Sequence, residues 1–228
     1  MTTSIVVGGS GGIGQAIAQY FAERGDTVVV ASRDKARAES VAAELGGDTH
    51  GLAVDLAEPE TIAAAFGAVT EVDNLVLTAA PLESNTIADF DVRGAVRSVT
   101  VKLVGYAETV RVLRDRFRPG AAVVLFGGLA KDRPYPGSTV VTTFNAGISG
   151  LTRTLAVEIG PYRVNALHPG FVGDSPRWRD APRPPQVDRA PIGRPVTMAE
   201  IVDATDFLLR NTAMTGHDLH VDGGLPLI

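Results

Sequence analysis

The chain has 228 residues, enough for one sizeable domain that buries roughly 70–75% of the surface its unfolded form would expose. It has no cysteine, which excludes a disulfide framework, a thiolate nucleophile and a cysteine-ligated zinc site, and its net charge of −5 argues against a surface that tracks nucleic-acid phosphates. No apolar run approaches the roughly 18 residues of a membrane span, and the N-terminus shows no signal-peptide pattern, so a soluble, cytoplasmic protein without membrane, nucleic-acid or metal partners is expected.

Short β-branched runs alternate with amphipathic stretches along the chain. The strands read as "SIVVG" (4–8), "TVVVA" (27–31), "HGLAV" (50–54), "DNLVL" (73–77), "AAVVLF" (121–126), "RVNAL" (163–167) and "HDLHV" (217–221). Helical patterns such as "GGIGQAIAQYFAER" and "FNAGISGLTRTLAVEI" lie between them. Strands that are apolar along their whole length and separated by helices indicate a parallel sheet covered on both faces, so residues 1–228 read as one doubly wound α/β domain. One irregular stretch, "GDSPRWRDAPRPPQVDRAPIGRP" (173–195), is rich in proline and arginine and reads as a lid-like loop over a site.

Between the first strand and the first helix, "VVGGSGGIGQAIA" holds Gly8, Gly12 and Gly14, with Ser10 and Ile13 among them. A tight turn and a close approach to pyrophosphate need glycine, and the helix N-terminus adds a favourable dipole, so this loop points to dinucleotide binding; a ligand-free glycine turn is the plainer alternative. The second strand ends in "VVVASRD". An acidic residue at that strand end suits the ribose 2′-hydroxyl of NAD(H), whereas Ser32 and Arg33 suit the 2′-phosphate of NADP(H). NADP(H) is therefore the expected cofactor, with NAD(H) as the alternative and an arginine on a solvated helix start as the plainer reading of Arg33.

From about residue 4 to residue 223 the sequence resembles the short-chain dehydrogenase/reductase family, a Rossmann-type fold. Gly8, Gly12 and Gly14 match its glycine loop, and Asp55 and Leu56 in "VDL" its adenine-contacting segment. Ala79 lies in the segment after the fourth strand, and Pro169, Gly170 and Val172 in "RVNALHPGFVGD" match the turn that lines the nicotinamide. "GRPVTMAEIVDATDFLL" and "TGHDLHVDGG" resemble the last helix and strand. The resemblance implies a homodimer or homotetramer and a small-molecule substrate.

The departures fall on the chemistry. The family's Asn-Asn-Ala-Gly is here Leu77, Thr78, Ala79, Ala80, and its Ser pair is Gly127 and Gly128. Its Tyr-x-x-x-Lys falls on Val141 and Asn145, and its helical Asn on Lys102. Valine cannot donate a proton, so ordinary ketone reduction should suffer by roughly 10²–10⁴-fold unless another group substitutes. Lys102 and Asn145 form a reciprocal exchange, and Lys102 is expected to restore an ammonium near the nicotinamide ribose; outward snorkelling at a subunit interface is the alternative.

Other candidates have plainer roles. Tyr135 reads as a surface-turn residue, Tyr106 as core, and Ser138, Thr142 and Thr143 as helix-start residues. His168 before proline reads as structural or cofactor-adjacent. Arg177, Trp178 and Arg179 suit an anionic or planar substrate, or simply a solvated loop. Two functions stay open: an oxidoreductase that transfers hydride to a carbonyl, enone or imine without the Tyr acid, and a non-redox sensor, scaffold, isomerase or dehydratase on the same fold.

Overall fold

The computed structural model describes residues 1–81, 85–180, 182, 187 and 189–228. The seven expected strands form as β1 (Thr3–Val7), β2 (Thr27–Ser32), β3 (Thr49–Ala53), β4 (Val72–Leu77), β5 (Phe117–Phe126), β6 (Arg163–Pro169) and β7 (Asp218–Val221). The helices are α1 (Gly12–Glu23), α2 (Lys35–Leu45), α3 (Ile62–Ala65), α4 (Val92–Val99), α5 (Gly105–Leu113), α6 (Thr139–Glu158) and α7 (Met198–Arg210). All strand pairs are parallel, in the order β3-β2-β1-β4-β5-β6-β7.

The period-two alternation of each strand builds two apolar layers. Ile5, Val7, Leu75, Leu77, Val123 and Leu125 face one side, where Tyr106 and Val110 of α5 and Ile148 of α6 pack on them. Val6, Val28, Val30, Val76 and Val124 face the other, against Ile17 and Phe21 of α1, Val41 of α2 and Ile201 of α7. Burial on both faces is what makes the strands read as unbroken apolar runs. Among the described residues, no helix is long and apolar enough to cross a membrane.

Strand order reverses between β1 and β4, which opens a crevice at their carboxyl ends where ligands of such sheets bind. Here Thr78 donates its backbone N–H to the Val7 carbonyl at 2.8 Å and its hydroxyl to the same oxygen at 3.0 Å. Gly8 and Gly14 close on that hydroxyl: a Cβ on either would lie 2.6 Å from Thr78 Oγ1, and Gly8 also has φ of +88°. Glycine is required at both positions by contact, and at Gly8 by conformation as well.

Between α4 and α5 the chain makes a π-helical turn, Thr100–Val104. Such turns are rare and concentrate at functional sites. This one carries Lys102 and lets its side chain run inward beneath the crevice.

Candidate active site

The loops after β1, β2, β4, β5 and β6 surround one cleft of about 1480 Å³. That exceeds the few hundred to about 1,000 Å³ of a pocket for one drug-sized molecule, and suits a two-part ligand. The cleft wall includes the glycine-loop residues Gly8, Ser10, Gly12, Ile13 and Gly14. Ser32 and Arg33 after β2, Asp55 and Leu56 after β3, and Ala79 after β4 continue it, and Pro169, Gly170 and Val172 complete it. These thirteen residues, expected to bind the cofactor, therefore border the same cavity.

At the β2 end, Asp34 has a local job. Its carboxylate accepts the Arg37 backbone N–H at 3.1 Å and caps α2, while Ser32 Oγ donates to the Asp34 carbonyl at 2.9 Å. The cap turns Arg37 back over the glycine loop, where its Nε donates to the Ser10 carbonyl at 3.0 Å. Arg33 and Arg37 are both exposed on this wall with no carboxylate partner among the described residues. Asp55, by contrast, accepts from Ala57 N at 2.9 Å and pairs with Arg97 at 3.5 Å.

The floor lies over β5 and α6. Val141 and Asn145 border the cleft, as do Gly127 and Gly128. Asn145 is only 4% exposed, and its Oδ1 has no hydrogen-bond partner among the described residues. Its Nδ2 would lie 2.9 Å from a Cβ at Gly128, so the carboxamide fills the space beside that glycine. A buried amide oxygen without a partner is costly.

Gly127 is fixed by a different neighbour. A Cβ there would lie 2.2 Å from His168 Nδ1. His168 is fully buried beneath the floor and does not reach the cleft wall. Its Nδ1 accepts the Gly128 N–H at 3.2 Å and its Nε2 faces Asp218 Oδ1 at 3.1 Å, which fixes the tautomer with the proton on Nε2. Burial pushes its pKa below the ordinary imidazole value, the Asp218 carboxylate opposing this only in part. His168 thus acts as a neutral acceptor that pins the Gly127–Gly128 turn.

Lys102 departs from expectation. It is 1% exposed and absent from the cleft wall, so it neither snorkels outward nor offers its ammonium to the cavity. Its Nζ donates to the Phe126 carbonyl and, at 2.8 Å, to the Tyr106 hydroxyl, which itself donates to the Ala79 carbonyl at 2.8 Å. The physical reason is the π-helical turn, which aims the side chain between the ends of β4 and β5. Without any carboxylate nearby, burial pushes its pKa down to about 7. The reciprocal exchange with Asn145 is one of sequence positions, and the two side chains do different work.

Over β5 to β7 the cleft changes character. Arg133, Tyr135, Phe171, Arg177, Trp178 and Leu225 border it. Tyr135 is 56% exposed there, while Arg179, Ser138, Thr142 and Thr143 are not on the wall. Ser138 and Thr142 bond each other at 2.9 Å. Part of the expected lid loop, residues 181, 183–186 and 188, lies outside the described residues. Arg37, Arg97 and Arg133 were not legible as site residues in the sequence. Only Arg37 had a signal, three residues past an Asp at a helix start.

The chain is similar to known proteins over nearly its whole length. A family profile described as enoyl-(acyl carrier protein) reductase matches residues 8–226. Carbonyl reductase family member 4 of Danio rerio is 32% identical, over 99% of this chain and 98% of its own length. The 3-oxoacyl-[acyl-carrier-protein] reductase of Homo sapiens is 30% identical, over 98% and 97%. A solved structure of a short chain dehydrogenase/reductase family protein superposes with a TM-score of 0.87 at 30% identity, covering 100% of this chain and 98% of that one.

Proposed function

The chain belongs to the short-chain dehydrogenase/reductase family, and on that premise we propose that it is an NADP(H)-dependent oxidoreductase whose site works without the family's Asn-Ser-Tyr-Lys set. The observation that carries this reading is the continuity of one cleft from the glycine loop to the Pro169–Val172 turn, with Asn145 in its floor. A nicotinamide held there would supply a hydride to an electrophilic carbon. The residues present suit it: a loop closed to any Cβ at Gly8 and Gly14, and Arg33 with Arg37 beside the position of a 2′-phosphate. Asp34 keeps its carboxylate on the α2 cap, and its charge stands against the two guanidiniums beside it. NAD(H) is the alternative occupant of the same cleft.

Val141 offers no proton, and Lys102 is committed elsewhere. The polar group left in the floor is the Asn145 carboxamide, which can donate a hydrogen bond to an oxygen that gains charge but cannot protonate it. One such donor is worth roughly 10²–10³-fold in rate. A conjugated enone or an iminium suits this site better than a plain ketone. Charge arriving in an enone settles on an oxygen that needs a hydrogen bond more than a proton, and the α-carbon can take its proton from water. The enoyl reductase profile and the carbonyl reductase relative support this range of acceptors.

We read residues 1–228 as one domain working in the cytoplasm, with 173–195 as its lid. Val92 and Val96, 64% and 61% exposed on α4, support pairing of copies into a homodimer or homotetramer. A second reading, a non-redox dinucleotide-binding sensor, scaffold, isomerase or dehydratase, is favoured by the valine at 141.

Fluorescence titration with NADPH and NADH, followed by panels of enones, imines and ketones, tests both. Tighter binding of NADPH and oxidation driven by enones or imines are expected. Failure to bind either nucleotide overturns the proposal, and binding without turnover across the panels hands the site to the second reading.

A further inference from the structure

Among the described residues, the half of the cleft over β5 to β7 holds two guanidinium groups and no acid on its wall. The acidic residues on the cleft wall, Asp34 and Asp55, both lie at the β2–β3 end and are engaged there. Arg133 is half-buried and donates through Nη1 to the Leu225 carbonyl, and neither it nor Arg177 has a carboxylate partner among the described residues. Elsewhere in this net-acidic chain, arginines such as Arg24, Arg118 and Arg194 sit on carboxylates.

Beside Arg177, on the same cleft wall as Arg133, stand two aromatic rings. Trp178 packs on Phe171 with ring centroids 4.4 Å apart, and the Arg177 guanidinium lies 5.2 Å from the Trp178 ring centroid. The Leu225 contact holds Arg133 from behind, which leaves most of its donors unused. A planar fork of N–H donors next to a flat apolar face matches a carboxylate conjugated to a planar group.

We propose that this half of the cleft selects small planar carboxylates, with Arg133 and Arg177 receiving the anionic oxygens and Phe171 and Trp178 covering the flat part of the substrate. The proposal rests on the reading of the cleft as a substrate site beside a dinucleotide. It adds the class of substrate and two specificity-determining residues.

Trp178 is the only tryptophan in the chain, so its fluorescence reports occupancy of this end without turnover. Titrating the NADPH-loaded protein with benzoylformate and with its methyl ester isolates the charge while keeping the planar body. The acid is expected to bind at least about tenfold more tightly than the ester, since a charge-assisted hydrogen bond to a guanidinium is worth that much or more. Arg133→Ala and Arg177→Ala should each remove most of that preference, and Arg133→Lys should keep part of it. Arg177 is exposed, so its variant carries the test should loss of the Arg133–Leu225 contact impair folding. Equal affinity for acid and ester, or a preference untouched in Arg177→Ala, overturns the proposal. NADPH oxidation is followed separately with the enone and imine panels, so selective binding of the acid while those panels give no turnover would count against the redox reading alone.

Discussion

Lys102 donates to the hydroxyl of Tyr106 at 2.8 Å, and through that hydroxyl and the Phe126 carbonyl it ties the carboxyl end of β4 to that of β5. Both ends feed the cleft: Ala79, whose carbonyl accepts from Tyr106, and Gly127, which follows Phe126, lie on its wall. Tyr106→Phe removes the acceptor of a buried amine and the donor to a strand-end carbonyl together. A loss of about 1–3 kcal/mol in unfolding free energy is expected, read from urea denaturation. NADPH affinity should fall as well if the two loops shift, and a variant as stable as the parent would show that the bonds contribute nothing.

The pKa of Lys102 carries its own consequence. Burial holds it at about 7 in the folded chain, against an ordinary value of 10.5 once unfolded. Between those values the unfolded state binds a proton that the folded state does not, so stability rises with pH across that window and is lost as pH falls toward 7. The span is of the order of a few kcal/mol at most. Lys102→Met should abolish the rise while matching or exceeding the parent at pH 7, as measured by urea midpoints from pH 6.5 to 9.5. A parent whose midpoint is flat over that range would refute the depressed pKa.

Much of this architecture was legible in the sequence because its causes are local. Unbroken apolar strands, the glycine loop and the Pro169–Gly170 turn each follow from short-range patterns that tolerate few alternatives. The floor of the cleft was less legible. Val141 and Asn145 could be registered by the "AGISGLT" that follows, but where Lys102 points depends on a π-helical turn that leaves no mark in composition or period. Gly127 looked like a missing serine, and only the fold brings His168, forty-one residues later in the chain, against it. Arg133 gained meaning from Leu225, at the other end of the sequence.

Gly127 and His168 should prove energetically inseparable. Gly127→Ala puts a methyl 2.2 Å from a fully buried imidazole that has no free direction, its Nδ1 on Gly128 and its Nε2 on Asp218. Overpacking of that kind costs about 1–3 kcal/mol or more. In a His168→Ala background the same methyl has room, so the double-mutant cycle should show a coupling of at least about 1 kcal/mol. Additive effects would mean that the turn moves aside freely.

On the NADP(H) reading proposed above, cofactor choice would be set at the start of α2. If Arg33 and Arg37 receive a 2′-phosphate, Arg33→Ala should weaken NADPH about 10- to 100-fold and leave NADH nearly unchanged. NADPH binding should also weaken with added salt far more than NADH binding. Arg37→Ala loses the Ser10 contact too, so it should weaken both cofactors, NADPH more. Equal losses for the two nucleotides in Arg33→Ala would reassign that arginine to solvent.

The floor itself offers the sharpest contrast between substrates. Asn145→Leu keeps the volume and removes the buried carboxamide that borders the cleft beside Gly128, so enone or imine turnover should fall roughly 10²-fold with NADPH binding changed much less. The opposite experiment installs the family's acid. Val141→Tyr with Asn145→Lys places a phenol and an ammonium one helical turn apart on the wall of the same cleft, and Gly128→Ser returns the family's hydroxyl to that wall. Ketone reduction should rise at least tenfold in the triple variant, because a positioned acid is worth roughly 10²–10⁴-fold and part of that is lost to imperfect placement. Enone turnover should gain less, since its oxygen needs a hydrogen bond more than a proton. A triple variant that binds NADPH as the parent does, yet gains nothing on ketones, would mean that the missing acid is not what limits this site.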